Sequence, residues 1–342
     1  MSDGTQKHFR PLVSWPAMSP SLRGLWLELR IIPVLLWSFS AITLGTALGA
    51  GDDVQGWYYL GAVALGVLIQ GVLAHTVNEL EDWRSGTDRH ASPRIISGGS
   101  KVLVAGLLTP RALRILFLVA FVLTAVLGLV LVASRGLVML PFGLAGVAGA
   151  ILYTQPPVRA AYRPFVGEAI ACTCLWLCVT GAAVLQGARI SLPIAVAALA
   201  VAAYAVGMLM MHHYLDHDAD RSASPPKTTS IVRLGLVRGR RYAIGWSTLA
   251  LLSAAAAALA QPQLLALTVA YVAGLACQVR TRPDDVASVT TNELAVIFFG
   301  IAGALISAAL LVPALAWAAL AAAALVALEM RLAVQPAETP AA

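Results

Sequence analysis

The chain has 342 residues, 59% of them hydrophobic and only 12% charged, with a formal net charge of +6. Soluble domains carry about 25% charged residues, so this deficit excludes a water-soluble globule and leaves a chain that mostly faces lipid. Residues 1–24 lack the basic, apolar, small-residue order of a secretory signal and read as a cytoplasmic tail. A spanning helix needs roughly 20 apolar residues. Such runs lie at about 25–48, 57–79, 115–133, 137–154, 166–186, 191–215, 243–260, 263–279, 293–311 and 314–331. Pro313 divides the last apolar stretch; without that division the count is nine and not ten. The expected fold is therefore all-α, a polytopic membrane bundle in a single domain over 25–332, followed by a disordered tail over 333–342. Cys172, Cys174, Cys178 and Cys277 lie in apolar runs without zinc-ligand spacing and read as packing thiols.

Cations orient the bundle. Of 23 Lys and Arg, only Arg135 and Arg189 fall in connections that follow odd-numbered spans. The positive-inside rule then puts the charged connections, about 80–114 and 216–242, in the cytoplasm.

Each long connection opens on a carboxylate cluster. In "NELEDWRSGTDRH" (78–90), Asn78 and Asp82 are four residues apart and share a helical face, and Asp88 follows a turn at Gly86. In "DHDAD", Asp216 and Asp220 have the same spacing while Asp218 points away. Ionisable groups at a membrane boundary are costly unless paired, which makes them functional candidates. Two facing carboxylate pairs form an all-oxygen site suited to Mg²⁺, which keeps waters and adds substrate phosphates. Arg84, Arg89, Arg94 and Lys101 follow the first cluster, and Arg221, Lys227 and Arg233 the second. Cations beside a metal site suit a diphosphate. One such loop reads as a solvated connector, but two on matching helix ends do not.

These residues resemble the UbiA superfamily of intramembrane prenyltransferases, which carries an Asn-Asp-x-x-Asp-type motif and an Asp-x-x-x-Asp motif. Within it the similarity is greatest to the MenA-like branch that prenylates 1,4-dihydroxy-2-naphthoate in menaquinone synthesis. Asn78, Asp82, Gly86 and Asp88 fit the first motif of that branch; Asp216, Asp220, Lys227, Thr229, Val232, Arg233 and Gly235 fit the second. "SGGSKVLVAGLLTP" (97–110) and "YTQPPVRAAYRPFVGE" (153–168) agree as well. There are departures. Glu79 stands where the motif usually has Asp, "SPP" lengthens the gap from Asp220 to Lys227, and His212 and His213 replace frequent Asn.

The resemblance implies helices around a central cavity open to the cytoplasmic side of a bacterial cell membrane. It implies Mg²⁺ held by Asn78, Asp82, Asp88, Asp216 and Asp220, with Arg84, Lys101, Lys227 and Arg233 on an isoprenyl diphosphate whose tail lies among lipid-facing helices. Tyr153, His75 and His212 are expected to line the chamber. The implied reaction is prenyl transfer to an aromatic acceptor, with no nucleic-acid partner. A terpene cyclase would use the same carboxylates and is the first alternative. A transporter is the remote one, because its ion sites lie at mid-membrane and not at helix ends. His213 and His217 are spaced for a transition metal but have no third ligand nearby.

Overall fold

The computed structural model describes residues 9–11, 19–51, 53–90, 99–332 and 334–336. Among them, nine helices are long and apolar enough to cross a bilayer. They are α1 (Pro20–Ala50), α2 (Gly56–Ser85), α4 (Pro110–Arg135), α6 (Val166–Leu185), α7 (Leu192–Tyr214), α9 (Ser230–Ala260), α10 (Pro262–Arg280), α11 (Val286–Leu311) and α12 (Pro313–Met330). Three are shorter: α3 (Thr87–His90), α5 (Leu137–Leu152) and α8 (His217–Ser222). The segments Phe9–Pro11 and Val334–Pro336 pair antiparallel. Most of the two expected tails, and Arg94, lie outside the described residues.

Every expected span is helical, and the expected break at Pro313 is present: the chain leaves α11 at Val312 (φ −138°) and restarts at Pro313. The short helix is instead the expected fourth span. At 1.5 Å per residue α5 is roughly 24 Å long, short of the about 17–25 residues that a spanning helix takes. The expected span at 243–260 begins earlier, at Ser230, where Thr229 Oγ1 accepts from the Val232 amide at 3.2 Å. Its first turns are cationic, so apolarity alone places its start too late. α9 then bends at Gly235, whose φ of 72° and ψ of 163° interrupt the helix.

α7 is the central pillar, buried along most of its length. Its alanines let neighbouring helices approach closely, and the Tyr204 ring ties three helices together. That ring stacks on Tyr271 of α10 at a centroid distance of 3.9 Å and donates to the Val296 carbonyl of α11 at 2.7 Å. Gly300 leaves room for it, since a Cβ there would lie 2.7 Å from the ring.

α1 and α2 each contain a π-helical stretch, Leu35–Phe39 and Val67–Ala74. Such widened turns recur at functional sites. Here they bring Ser38 and Gln70 into hydrogen-bond contact between the two helices.

Candidate active site

The first carboxylate cluster occupies the last turns of α2. Asn78 Nδ2 donates to Asp82 Oδ2 at 3.0 Å, which confirms a shared face for these two. Gly86 (φ 78°) ends α2 in a left-handed turn and delivers Asp88 on α3. Asp82 and Asp88 are both buried. The Asp88 carboxyl is pushed up to about 8 by burial, then by Asp82 and Glu79, while Lys101 and Lys227 act in the opposite direction.

Glu79, the departure from the family pattern, does a separate job. It accepts from Ser100 Oγ at 2.7 Å, the Lys101 amide at 3.1 Å and the Leu103 amide at 3.3 Å. These bonds fold the 99–103 turn against Asp88, and Lys101 Nζ donates to the Asp88 carbonyl at 3.2 Å. Only glycine fits at 99: its φ is 78°, and a Cβ would lie 3.0 Å from Asp88 Oδ1.

The second cluster follows α7. Asp216 precedes α8 and accepts the Asp220 amide on its carbonyl at 2.8 Å; both side chains are buried. Asp218 is turned outward, its side chain 97% exposed and hydrogen-bonded to His217 Nδ1 at 2.8 Å. Since α7 ends at Tyr214, His213 faces inward while His217 lies outside, so the two do not form a metal pair. The segment 223–229 crosses back over α2: the Ser224 amide donates to the Ser85 carbonyl at 3.2 Å, and the Lys227 amide to the Asp220 carbonyl at 2.8 Å.

Lys227 links the two clusters. Its Nζ donates to Asp82 Oδ1 at 3.2 Å and Oδ2 at 3.3 Å, and lies 5.8 Å from the centroid of the Tyr162 ring. Burial would lower the pKa of this ammonium, but Asp82 and Asp220 outweigh burial and hold it well above the ordinary lysine value.

All of this caps a cavity of about 620 Å³ between α1, α2, α4, α5, α6 and α7. Asn78, Asp82, Asp88, Asp216, Asp220 and Lys227 line it together with Tyr153, His75 and His212. The remaining walls are mostly apolar, with Trp37 and Phe142 among them. Three expected diphosphate contacts lie elsewhere. Arg84 is half-exposed, sits 3.8 Å from Glu81 and lines a separate groove with Arg159. Arg233 is exposed in the first turn of α9, and Lys101 stands behind Asp88 without lining the cavity. Short spacing to a motif places a cation on the right segment but does not choose its direction.

Five residues contribute that the sequence did not single out. Ser38 and Gln70 form a polar pair in the cavity wall, and Gln70 Nε2 also donates to the Pro33 carbonyl at 3.3 Å. Buried Glu81 pairs with Arg159, which holds the 153–165 segment against α2. Glu293 on α11 is 2% exposed and bonds His212. A carboxylate inside an apolar span was the available signal for Glu293. Cys174 and Cys178, expected to be packing thiols, also face the cavity.

Residues 35–287 match the UbiA prenyltransferase family. The chain belongs to that family. As a UbiA member with nine bilayer-length apolar helices among its described residues, it is an integral membrane protein. No curated protein sequence matches it. Its fold is similar to that of a UbiA homolog from Archaeoglobus fulgidus bound to DMAPP and Mg²⁺, with a TM-score of 0.60 and 16% identity over 82% of this chain and 98% of that one. The same homolog bound to GPP and Mg²⁺ gives 0.57 at 16% identity, over 82% and 99%. A structure of digeranylgeranylglyceryl phosphate synthase gives 0.51 at 13% identity, over 82% and 98%.

Proposed function

We infer that this UbiA-family protein moves an isoprenyl group from an allylic diphosphate to an aromatic quinone precursor such as 1,4-dihydroxy-2-naphthoate, with Mg²⁺ as cofactor. One observation carries the reading: two carboxylate clusters from distant segments converge around a buried lysine at the mouth of one apolar cavity. Similar solved proteins bound to DMAPP, GPP and Mg²⁺ support it. The positive-inside rule supports a site on the cytoplasmic side, and a menaquinone role suits a bacterial cell membrane.

The donor set fits the ion. Asn78, Asp82, Asp88, Asp216 and Asp220 would hold it, all through oxygen, and Asp88 Oδ2 is buried without a hydrogen-bond partner. Among the described residues, no group of three or more His, Cys, Asp or Glu could hold a metal ion alone. When bound, Mg²⁺ supplies Lewis-acid neutralisation of the departing diphosphate.

The chain supplies the rest. Lys227 is charged and placed to exchange Asp82 for a diphosphate oxygen. The allylic C–O bond breaks, its electron pair leaves with diphosphate, and a π pair of the acceptor ring forms the new bond to carbon. The ring carbon then loses its proton. Apolar walls keep water from the cation, and the faces of Trp37, Phe142 and Tyr153 can stabilise it. The Ser38–Gln70 pair favours an acceptor over a cyclase, since it offers hydrogen bonds to ring hydroxyls that an acceptor-free hydrocarbon chamber does not need.

The test is to incubate purified protein with Mg²⁺ and geranylgeranyl diphosphate, with and without 1,4-dihydroxy-2-naphthoate, and to identify products by mass. A prenylated naphthoate is expected. A cyclic hydrocarbon or terpene alcohol, formed equally well without acceptor, would replace the transferase with a cyclase.

A further inference from the structure

His212 and Glu293 form a pair that neither the carboxylate clusters nor Lys227 explains. His212 Nδ1 lies 2.9 Å from Glu293 Oε1. Glu293 is 2% exposed and does not line the cavity, whereas His212 does. The carboxylate therefore stands behind the imidazole. A carboxylate accepts, so Nδ1 donates, and in the neutral imidazole Nε2 then holds a lone pair able to take a proton. The same carboxylate stabilises the imidazolium that then forms, the logic by which a buried acid orients a catalytic histidine.

The position matters as much as the pair. His212 lies one helical turn before Asp216, on the bilayer side of the carboxylates and at the wall of the same cavity. A diphosphate held at Asp82 and Asp216 with its apolar tail in the cavity would put its allylic carbon on that side. Of the other polar groups nearby, His75 and His213 each have a buried Nδ1 without a hydrogen-bond partner, and neither is backed by a carboxylate in this way. The aspartates are committed to metal and Lys227, and Lys227 is already protonated. Prenyl transfer needs a proton acceptor, and the chamber offers one placed for it.

We propose that the His212–Glu293 pair is the general base of the reaction, with His212 a catalytic residue and Glu293 its positioning residue. The inference rests on the prenyl-transfer reading. After the acceptor's π pair has bonded the allylic carbon, the C–H electrons at that ring carbon return to the ring, and the proton moves to His212 Nε2. Atoms and charge balance: diphosphate leaves with the C–O pair, and the proton later passes to water.

The test separates binding from proton transfer. Wild type, His212→Gln, His212→Ala and Glu293→Gln are compared with Mg²⁺, geranylgeranyl diphosphate and 1,4-dihydroxy-2-naphthoate. Diphosphate binding, prenylated product and melting temperature are all measured. Glutamine at 212 keeps an N–H for Glu293 but offers no basic nitrogen, so folding is protected. General-base catalysis is worth about 10²–10⁴-fold; His212→Gln should lose product formation by that factor while its diphosphate Kd stays within about threefold. Added imidazole should restore at least about tenfold to His212→Ala, and Glu293→Gln should fall between wild type and His212→Gln. Product formation by His212→Gln within about threefold of wild type would overturn the assignment, as would a matching loss of diphosphate binding or no rescue by imidazole. A wild type that makes no prenylated product would remove the transfer reading itself, an outcome distinct from an active wild type with an active His212→Gln.

Discussion

Replacing Lys227 with methionine removes the one ammonium that bridges the carboxylate clusters while keeping most of the side-chain volume. At the observed 3.2 Å its attraction to Asp82 is about 5 kcal/mol for an effective dielectric of 20. Breaking a buried pair by removing one partner costs about 3–5 kcal/mol in measured cases, and protonation of the stranded carboxylate caps that cost. Metal-free Lys227→Met should therefore melt well below wild type. Mg²⁺ must displace the lysine from Asp82 in the wild-type protein but not in the variant, so the variant should bind Mg²⁺ more tightly without substrate. Each 1.4 kcal/mol of avoided competition is about a tenfold gain in affinity. Binding of geranylgeranyl diphosphate should move the other way, since a charge-assisted hydrogen bond worth about 1.5–3 kcal/mol is lost. Calorimetric titration with each ligand in turn reads both effects. Weaker Mg²⁺ binding in Lys227→Met would refute the reasoning, because it would mean that lysine and metal do not compete.

Asp82→Ala and Asp216→Ala should each abolish diphosphate release from geranylgeranyl diphosphate while leaving helicity by circular dichroism unchanged, because each removes an oxygen donor and little packing. The raised pKa of Asp88 makes a pH prediction for the metal-free protein. The folded state holds a proton there that the unfolded chain has released, so stability from this group is complete below about 4 and lost as pH rises through about 8. Melting temperature in chelator should fall across that window, and Asp88→Asn should flatten the fall. Gly99→Ala forces a left-handed backbone at about 1–2 kcal/mol and presses on Asp88. Activity should drop much further than thermal stability, as product yield and melting temperature measured side by side would show.

Much of the molecule was legible because two strong signals act over long stretches. Apolar runs located every span, and a single proline correctly divided the last two. What failed was the ends. Helix α9 begins in a cationic stretch that hydropathy discards, and α5 is apolar throughout yet too short. In the site, residues that share a helical face with a motif came out together: Asn78 with Asp82, and Asp216 with Asp220. Arg84 and Arg233 did not join them, since a surface cation follows whatever carboxylate or solvent it meets locally. Contacts between distant segments were out of reach. Nothing local in the sequence says that Glu79 will hold the 99–103 turn, or that Glu293 will stand behind His212.

The central claim is that both carboxylate clusters act together to hold a metal-bound diphosphate at the cavity mouth. Titration of geranylgeranyl diphosphate into the purified protein, with Mg²⁺ and again with excess chelator, tests it most directly. The account predicts saturable binding that requires Mg²⁺ and disappears in both Asp82→Ala and Asp216→Ala. Undiminished binding in chelator, or loss in one variant with full retention in the other, would contradict it.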